Sequence, residues 1–348
     1  MEFLTSYGLF LAKSVTIVFA IVIVIVAIIA ASSRGRKEHE GHIEVNVLTD
    51  KYKQVEESLQ SIILDEHQVK LIHKENKKKL KLEKKQQKNS DKDTNRKKRI
   101  YVLDFVGDVK ASAVSSLREE VTAVLTMAEK KDEVLVRLES PGGLVHAYGL
   151  AASQLQRIRK QNIPLTIAVD SVAASGGYMM ACIGNKIIAA PFAILGSIGV
   201  LAQLPNFHRF LKKNDIDFEL FTAGEHKRTV TMFGENTDKG RAKFTEELED
   251  THNLFKSFVS DHRPQLDIST VATGEIWYGQ RALDVNLIDD IQTSDEYLMA
   301  QRKDADIYLI TYTHKKSLQE KLGFVAEKTV DRAIEKTFSS FKSDREFL

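Results

Sequence analysis

Between residues 99 and 190 the hydrophobic positions form short continuous runs separated by runs at helical spacing. The continuous runs predict four buried strands: Ile100–Phe105, Val134–Leu138, Leu165–Val169 and Lys186–Ala190. Residues 112–131 and 145–161 have the spacing of helices, and a small-residue turn with a further helix comes before the last strand. Strands that alternate with helices predict parallel βαβ units, so we expect an α/β fold whose helices cover a parallel sheet.

Helical spacing recurs on both sides of this region. Residues 238–262 predict an amphipathic helix, and residues 318–342 predict another within a C-terminal extension at 301–348. Residues 43–99 predict a helical stalk whose second half is rich in lysine. We interpret the stalk as a solvated helix and linker, with attraction to anionic lipid head groups as the alternative. The main folded domain is therefore expected at 100–300.

The longest apolar run is Val15–Ala31, which contains one polar residue, a threonine. With its apolar flank it covers the roughly 20 residues that a helix needs to cross a membrane, so it predicts an N-terminal anchor within residues 1–42. A cleaved secretory signal is the alternative, although the apolar part of such a signal usually has about 7–15 residues. Arg34, Arg36 and Lys37 follow the run, and this positive charge favours a cytoplasmic body.

A second apolar stretch, Ile187–Leu204, is hydrophobic enough to be mistaken for another membrane span. Pro191, Gly196 and Gly199 interrupt it, and the flanking pattern is that of a strand followed by a turn. We predict that this stretch is buried in the core of the folded domain.

Composition and charge narrow the classes of protein to which the chain can belong. Hydrophobic residues make up 43% and charged residues 28% of the chain, which excludes wholesale disorder. The single cysteine, Cys182, excludes a disulfide framework and any multi-cysteine zinc or iron–sulfur site. Residues 1–99 carry 20 Lys and Arg against 13 Asp and Glu, whereas the rest carries 30 against 35. The basic excess therefore lies in residues 1–99 and not in the main folded domain, so we expect no nucleic-acid partner. We also expect no metal and no cofactor.

Two small-residue turns follow neighbouring strands of the predicted sheet. Glu139–Gly143 (ESPGG) follows the strand at 134–138, and Asp170–Tyr178 (DSVAASGGY) follows the strand at 165–169. Parallel sheets carry their reactive groups at these carboxyl ends of strands. Each turn alone is ordinary loop sequence, and only their joint occurrence favours a catalytic site.

Ser175 is the candidate nucleophile of that site. Its small neighbours, Ala174 and Gly176, suit a tight strand-to-helix turn that exposes the serine hydroxyl. The N–H groups after Ser175 and a further N–H from Gly142–Gly143 can converge on one point as an oxyanion hole.

A catalytic serine needs a base, and the residues leave its identity open. None of the candidate histidines is followed by a recognisable orienting acid: His146, His208, His226, His252 and His262. The other candidate is a lysine held neutral by burial beside apolar groups. Lys227 follows a strand-like run and a turn at Gly224, which allows it to enter a pocket, although residue type alone favours an ordinary surface lysine.

With these residues identified, the chain resembles the signal peptide peptidase A family of serine peptidases, and most closely its SohB branch. Five blocks carry the resemblance in family order, together with the N-terminal apolar run: ESPGG (Glu139–Gly143), SVAASGGYMMAC (Ser171–Cys182), LGSIGV (Leu195–Val200), TAGEHKR (Thr222–Arg228) and GEIWYGQRALDVNLID (Gly274–Asp289).

The resemblance implies a Clp protease/crotonase-like spiral of parallel strands and a Ser–Lys dyad. It makes Ser175 the nucleophile and Lys227 the general base, with Ser197 orienting the lysine. It places the backbone N–H groups of Gly142 and Gly176 in the oxyanion hole. It also implies a homo-oligomeric ring in which the lysine can come from a neighbouring subunit.

The resemblance further implies a protease of the bacterial inner membrane that acts on short, unfolded or signal-peptide-like substrates. The side of the membrane stays open, because the charge pattern favours the cytoplasm while relatives that degrade signal peptides work outside it. Two alternatives remain at this point. One is a non-catalytic ring scaffold or partner-binding protein, and the other is a crotonase-like acyl-CoA enzyme, in which Ser175 and Lys227 have no shared role.

Overall fold

The computed structural model describes residues 7–10, 13, 16–17, 41–72, 74–75, 77–78 and 96–314. The predicted membrane segment Val15–Ala31 lies outside the described residues except for Thr16 and Ile17, and the predicted helix at 318–342 lies wholly outside them. Among the residues that are described, no helix has the length and apolar character needed to span a membrane.

The chain divides into two compact units. One combines Met1–His42 with Thr313–Leu348, and residues 7–10 of it are helical. The other, Ile43–Tyr312, contains the sheets and the candidate site.

Within the described ranges, ten strands form two sheets, numbered here in chain order. The strands are β1 (His42–Val47), β2 (Lys98–Val106), β3 (Glu133–Glu139), β4 (Leu165–Val169), β5 (Val172–Ala174), β6 (Lys186–Ala189), β7 (Ile194–Gly196), β8 (Ile276–Tyr278), β9 (Asp290–Ile291) and β10 (Ala305–Thr313). The larger sheet has the order β1-β10-β2-β3-β4-β6-β9, and its pairs from β10 to β9 are parallel. The predicted α/β fold with a parallel sheet is confirmed.

Nine helices are delimited within the described residues. They are α1 (Leu48–Ile63), α2 (Val114–Leu125), α3 (Val145–Lys160), α4 (Gly176–Ala181), α5 (His208–Lys213), α6 (Asp238–His262), α7 (Ile268–Val271), α8 (Gly279–Asp284) and α9 (Ser294–Gln301). The predicted helix at 238–262 coincides with α6, whose start is fixed because Thr237 Oγ1 accepts the N–H of Gly240.

The two faces of the large sheet pack against separate apolar clusters. The larger cluster contains Phe105, Tyr148, Leu155 and Tyr178, all fully buried. The smaller one lies around Leu135 and includes side chains from β2, β4, β6, β10 and α9. Burial on both faces explains why the central strands read as continuous hydrophobic runs in the sequence.

The smaller sheet, β5-β7-β8, positions the candidate site. β5 and β7 are parallel with Ala174 opposite Gly196, and β7 and β8 are antiparallel. A parallel bridge between Ser140 and Ala173 joins the end of β3 to β5. The turns after β3, β5 and β7 therefore meet at one edge.

The predicted domain boundaries differ from the structure at both ends of the main domain. Residues 43–47, expected in the stalk, belong to strand β1 beside β10 in the large sheet. Residues 305–313, expected in the C-terminal extension, form β10, which pairs with β2. Thr49 Oγ1 also accepts the N–H of Ile307, so both flanks contribute to the main fold.

The apolar stretch Ile187–Leu204 divides at Gly199. Its first part forms β6 and β7, and Ile187, Leu195 and Ile198 are fully buried, which confirms the prediction of core for that part. The last residues differ from the prediction, because Leu201 and Leu204 are exposed.

Candidate active site

Ser175 lies between β5 and α4 in a backbone conformation that serine rarely adopts. Its φ is 52° and its ψ is −118°, a region that costs an L-residue about 1–3 kcal/mol. The surrounding structure holds it there: the Ser175 N–H donates to Gly196 O at 2.8 Å, and its carbonyl accepts the N–H of Met179 at 3.0 Å. The residue stays partly exposed, so its side chain lies at the edge of the core.

Ser197 occupies the matching position after β7. Its φ is 50°, and its N–H donates to Glu275 O at 2.7 Å. Because Ala174 and Gly196 are opposite each other in the parallel pair, the two serines leave adjacent strands side by side. Like Ser175, Ser197 is partly exposed.

The turn after β3 packs directly against Ser175. Gly142 has a φ of +90°, and a Cβ added to it would lie 2.7 Å from Gly176 N and 2.8 Å from Ser175 Cβ. Only glycine fits this approach, because both the conformation and the contact exclude a side chain. The structure therefore brings Gly142, Ser175 and Gly176 together.

The N–H groups of this turn are used differently from the sequence-based expectation. The Gly142 N–H donates to the buried Ser140 Oγ at 3.1 Å, so it is already engaged. The N–H of Gly143 makes no hydrogen bond to any described residue. Gly176 begins α4, so its N–H belongs to the first turn, where no intrahelical acceptor exists.

Lys227 makes no hydrogen bond to Ser175 among the described residues of one chain. Its side chain is exposed, its N–H donates to Gly224 O in a turn at 3.2 Å, and no hydrogen bond or ion pair joins its Nζ to the described residues. Nearly all residues from 201 to 228 are exposed. We call this stretch the exposed segment.

None of the candidate histidines is hydrogen-bonded to Ser175 in the part of the chain that the structure describes. His252 Nε2 lies 3.1 Å from Ile198 O, and His262 bonds to Phe258 O and Gln156. His146 and His226 are exposed.

Cys182, the other nucleophilic side chain near α4, is unsuited to catalysis. It is fully buried, and its Sγ–H donates to Met179 O at 3.2 Å. Burial raises the pKa of the thiol well above its usual range, so at neutral pH it stays a protonated thiol. Across the described ranges, no group of His, Cys, Asp and Glu is arranged to hold a metal ion.

Comparison with protein families gives two matches that together cover most of the chain. The family model described as "Peptidase family S49 N-terminal" matches residues 2–155, and "Peptidase family S49" matches residues 157–308.

Curated relatives match over the whole length. A Haemophilus influenzae protein named "Probable protease SohB" is 46% identical over 352 residues, covering 100% of this chain and 99% of its own length. A protein of the same name from Buchnera aphidicola subsp. Schlechtendalia chinensis is 46% identical over 310 residues, covering 86% of this chain and 100% of its own length.

Among solved structures, the chain is similar to a mutant of the 1510-N membrane-bound stomatin-specific protease in complex with a substrate peptide. The identity is 15%, the TM-score is 0.41, and the match covers 66% of this chain and 97% of that one. Because the identity and the TM-score are both low, the family assignment depends on the family models and the full-length relatives.

Proposed function

The chain belongs to peptidase family S49 and is a protease, and we propose that it hydrolyses peptide bonds with Ser175 as the nucleophile. One observation carries the proposal: Ser175 is held at a φ of 52° against Gly142 and Gly176, with its side chain at the edge of the core. A serine fixed by its backbone, accessible, and surrounded by glycine amides suits acyl transfer.

In the proposed reaction, Ser175 Oγ attacks the carbonyl carbon of the scissile bond while a neutral Lys227 takes the hydroxyl proton. The oxyanion accepts hydrogen bonds from the N–H of Gly176 and from an amide of the turn after β3, where the N–H of Gly143 is the free one. The N–H of Gly142 can act as an oxyanion donor only if it breaks its hydrogen bond to Ser140 Oγ. Lys227 then gives its proton to the departing amine, and water hydrolyses the acyl-enzyme.

We propose that Lys227 reaches Ser175 of a neighbouring copy in a homo-oligomeric ring. The exposed segment that carries Lys227 also presents many apolar side chains to solvent: Leu201, Leu204, Phe207, Phe210, Ile216, Phe218, Leu220 and Phe221. A surface so rich in apolar groups is typical of a protein–protein contact. Ser197, beside Ser175, would hydrogen-bond the arriving lysine amine and orient it.

The proposed substrates are short, unfolded or signal-peptide-like chains. The site lies between strand ends and a glycine turn, and a scissile carbonyl that is not paired in secondary structure is free to accept the oxyanion-hole hydrogen bonds. The proposal includes a Clp protease/crotonase-like spiral, an anchor formed by Val15–Ala31 and a location at the bacterial inner membrane. The apolar run and the following basic residues support the anchor.

The test is cleavage of a fluorogenic peptide by the purified full-length chain. We expect Ser175→Ala to lower kcat by about 10⁴-fold or more, because the nucleophile and its base act as a unit. Ser171→Ala is the matched control, since Ser171 is an exposed serine in the preceding turn, between β4 and β5, and it should keep wild-type activity. Equal activity of wild type and Ser175→Ala would refute the proposal, and an inactive wild type in an assembled ring would favour a scaffold.

A further inference from the structure

Tyr148 lies directly beneath the turn that carries Ser175. It is in the first turn of α3 and is fully buried. A Cβ added to Gly176 would overlap the Tyr148 side chain at its ring atoms Cγ and Cδ2 and at its Cβ, so the backbone of Gly176 packs against that ring. The candidate oxyanion hole has two walls, the backbone of Gly176 and the Gly142–Gly143 turn. The first of these walls packs against the Tyr148 ring.

The Tyr148 hydroxyl reaches the other wall. Its oxygen is 2.5 Å from Ser140 Oγ, and its hydrogen is donated to Asp108 O at 2.8 Å. With that hydrogen committed, Tyr148 Oη accepts from the Ser140 hydroxyl, and Ser140 Oγ accepts the N–H of Gly142 at 3.1 Å. The four groups form one directed chain: Gly142 N–H to Ser140, Ser140 to Tyr148, and Tyr148 to Asp108 O.

Close packing leaves this chain little freedom to rearrange. Ser140 is fully buried, and the backbone of Gly107 lies against both Ser140 Oγ and Tyr148 Oη, because a Cβ there would overlap them. Gly177 packs in the same way against Ser140 O. Burial raises the pKa of Tyr148 above its ordinary value, so its hydroxyl stays protonated and able to donate at neutral pH.

We propose that Tyr148 is a positioning residue that sets the two walls of the oxyanion hole relative to each other, with its ring under Gly176 and its hydroxyl anchoring the Gly142–Gly143 turn through Ser140. The inference rests on the proposed function. It assigns Tyr148 no contact with substrate. Its effect is to hold the amide donors where the oxyanion forms, and this matters more in the transition state than in the bound substrate.

The experiment compares Tyr148→Phe with wild type in two assays on the full-length chain. The first is hydrolysis of a fluorogenic peptide, and the second is inhibition by the corresponding peptide aldehyde, which adds the Ser175 hydroxyl to form a tetrahedral hemiacetal. Tyr148→Phe keeps the ring under Gly176 and removes only the hydroxyl. Tyr297→Phe is the matched control, since Tyr297 is half-buried on α9 and its hydroxyl donates to Glu133 Oε1 at 2.6 Å, away from the Ser140 and Asp108 partners of Tyr148.

We expect kcat of Tyr148→Phe to fall about 10- to 100-fold with KM unchanged, somewhat less than deletion of an oxyanion donor. The inhibition constant of the aldehyde should rise by a similar factor, while Tyr297→Phe leaves both unchanged. Ser140→Ala should give a comparable loss, and the double variant should lose no more than the larger single loss, because both act through one chain of bonds.

Three results would overturn the inference: wild-type kcat in Tyr148→Phe, a rise in KM alone, or a fall in kcat without weaker aldehyde binding. Assaying Ser175→Ala in parallel distinguishes failure of the Tyr148 inference from failure of the proposed function. If Ser175→Ala is inactive and Tyr148→Phe is fully active, only the inference fails. If Ser175→Ala is active, the proposed function fails.

Discussion

Replacing Lys227 with methionine is expected to lower kcat for peptide cleavage by about 10⁴-fold or more while the folded chain and its assembly persist. Methionine keeps much of the side-chain volume and removes the amine that would accept the Ser175 proton. Lys227 is exposed in the single chain, and its Nζ has no partner among the described residues. We therefore expect the substitution to leave the unfolding free energy of the single chain nearly unchanged.

Lys213→Met is the matched control for this prediction. Lys213 is exposed at the end of α5 in the same exposed segment, so it reports the general effect of removing a lysine there. Wild-type kcat in Lys227→Met, or equal losses in both variants, would contradict the assignment of the base. Mixing inactive Ser175→Ala and Lys227→Met subunits should restore part of the activity if the lysine acts across the subunit contact.

Replacing Arg263 with methionine is expected to cost about 1.5–3 kcal/mol of unfolding free energy, because the Asp289 carboxylate, 30% of whose side chain is exposed, loses its charged hydrogen-bond donor. Only 2% of the Arg263 side chain is exposed, and its two terminal nitrogens lie 2.8 and 3.0 Å from the Asp289 carboxylate. Arg263 also donates to Asn286 O, and Asp289 accepts the N–H of Ile187 at the start of β6. The pair therefore joins the end of α6 to the sheet.

Urea unfolding of the purified full chain measures this cost, with Arg137→Met as the control. Arg137 also makes two bonds to one carboxylate, that of Asp104, but 31% of its side chain and 44% of its partner's are exposed. Solvent screening should limit that loss to about 1 kcal/mol or less. Equal losses in the two variants would show that burial does not set the strength of the Arg263 pair.

The central part of the fold can be predicted from the sequence because its elements are long and clearly periodic. The continuous run at Leu165–Val169 matches β4, and the amphipathic pattern at 238–262 matches α6. The three-residue strands β5, β7 and β8 are too short to show any period. The sequence pattern places β1 and β10 in flanking regions, because their position in the sheet depends on pairing between residues far apart in the chain.

The candidate site can be predicted in composition but not in geometry. The glycines and small residues around Ser175 mark a tight turn, whereas the positive φ of Ser175 and Ser197 is held by bonds to distant parts of the chain, Gly196 O and Glu275 O. The engagement of Gly142 by Ser140 cannot be predicted, because it depends on where a buried hydroxyl lies. The only sequence signal for Tyr148 is a polar aromatic residue on the inner face of a predicted helix, which needs a partner for its hydroxyl when buried.

The most direct measurement is the mass-spectrometric location of the adduct that a fluorophosphonate forms with the purified full-length protein. The probe phosphonylates an activated serine and releases fluoride, so the modified peptide identifies the nucleophile. We predict a single modified residue, Ser175, with labelling greatly slowed in Lys227→Met. Labelling of a different residue, or an unmodified Ser175 in a preparation that cleaves peptides, would contradict the account.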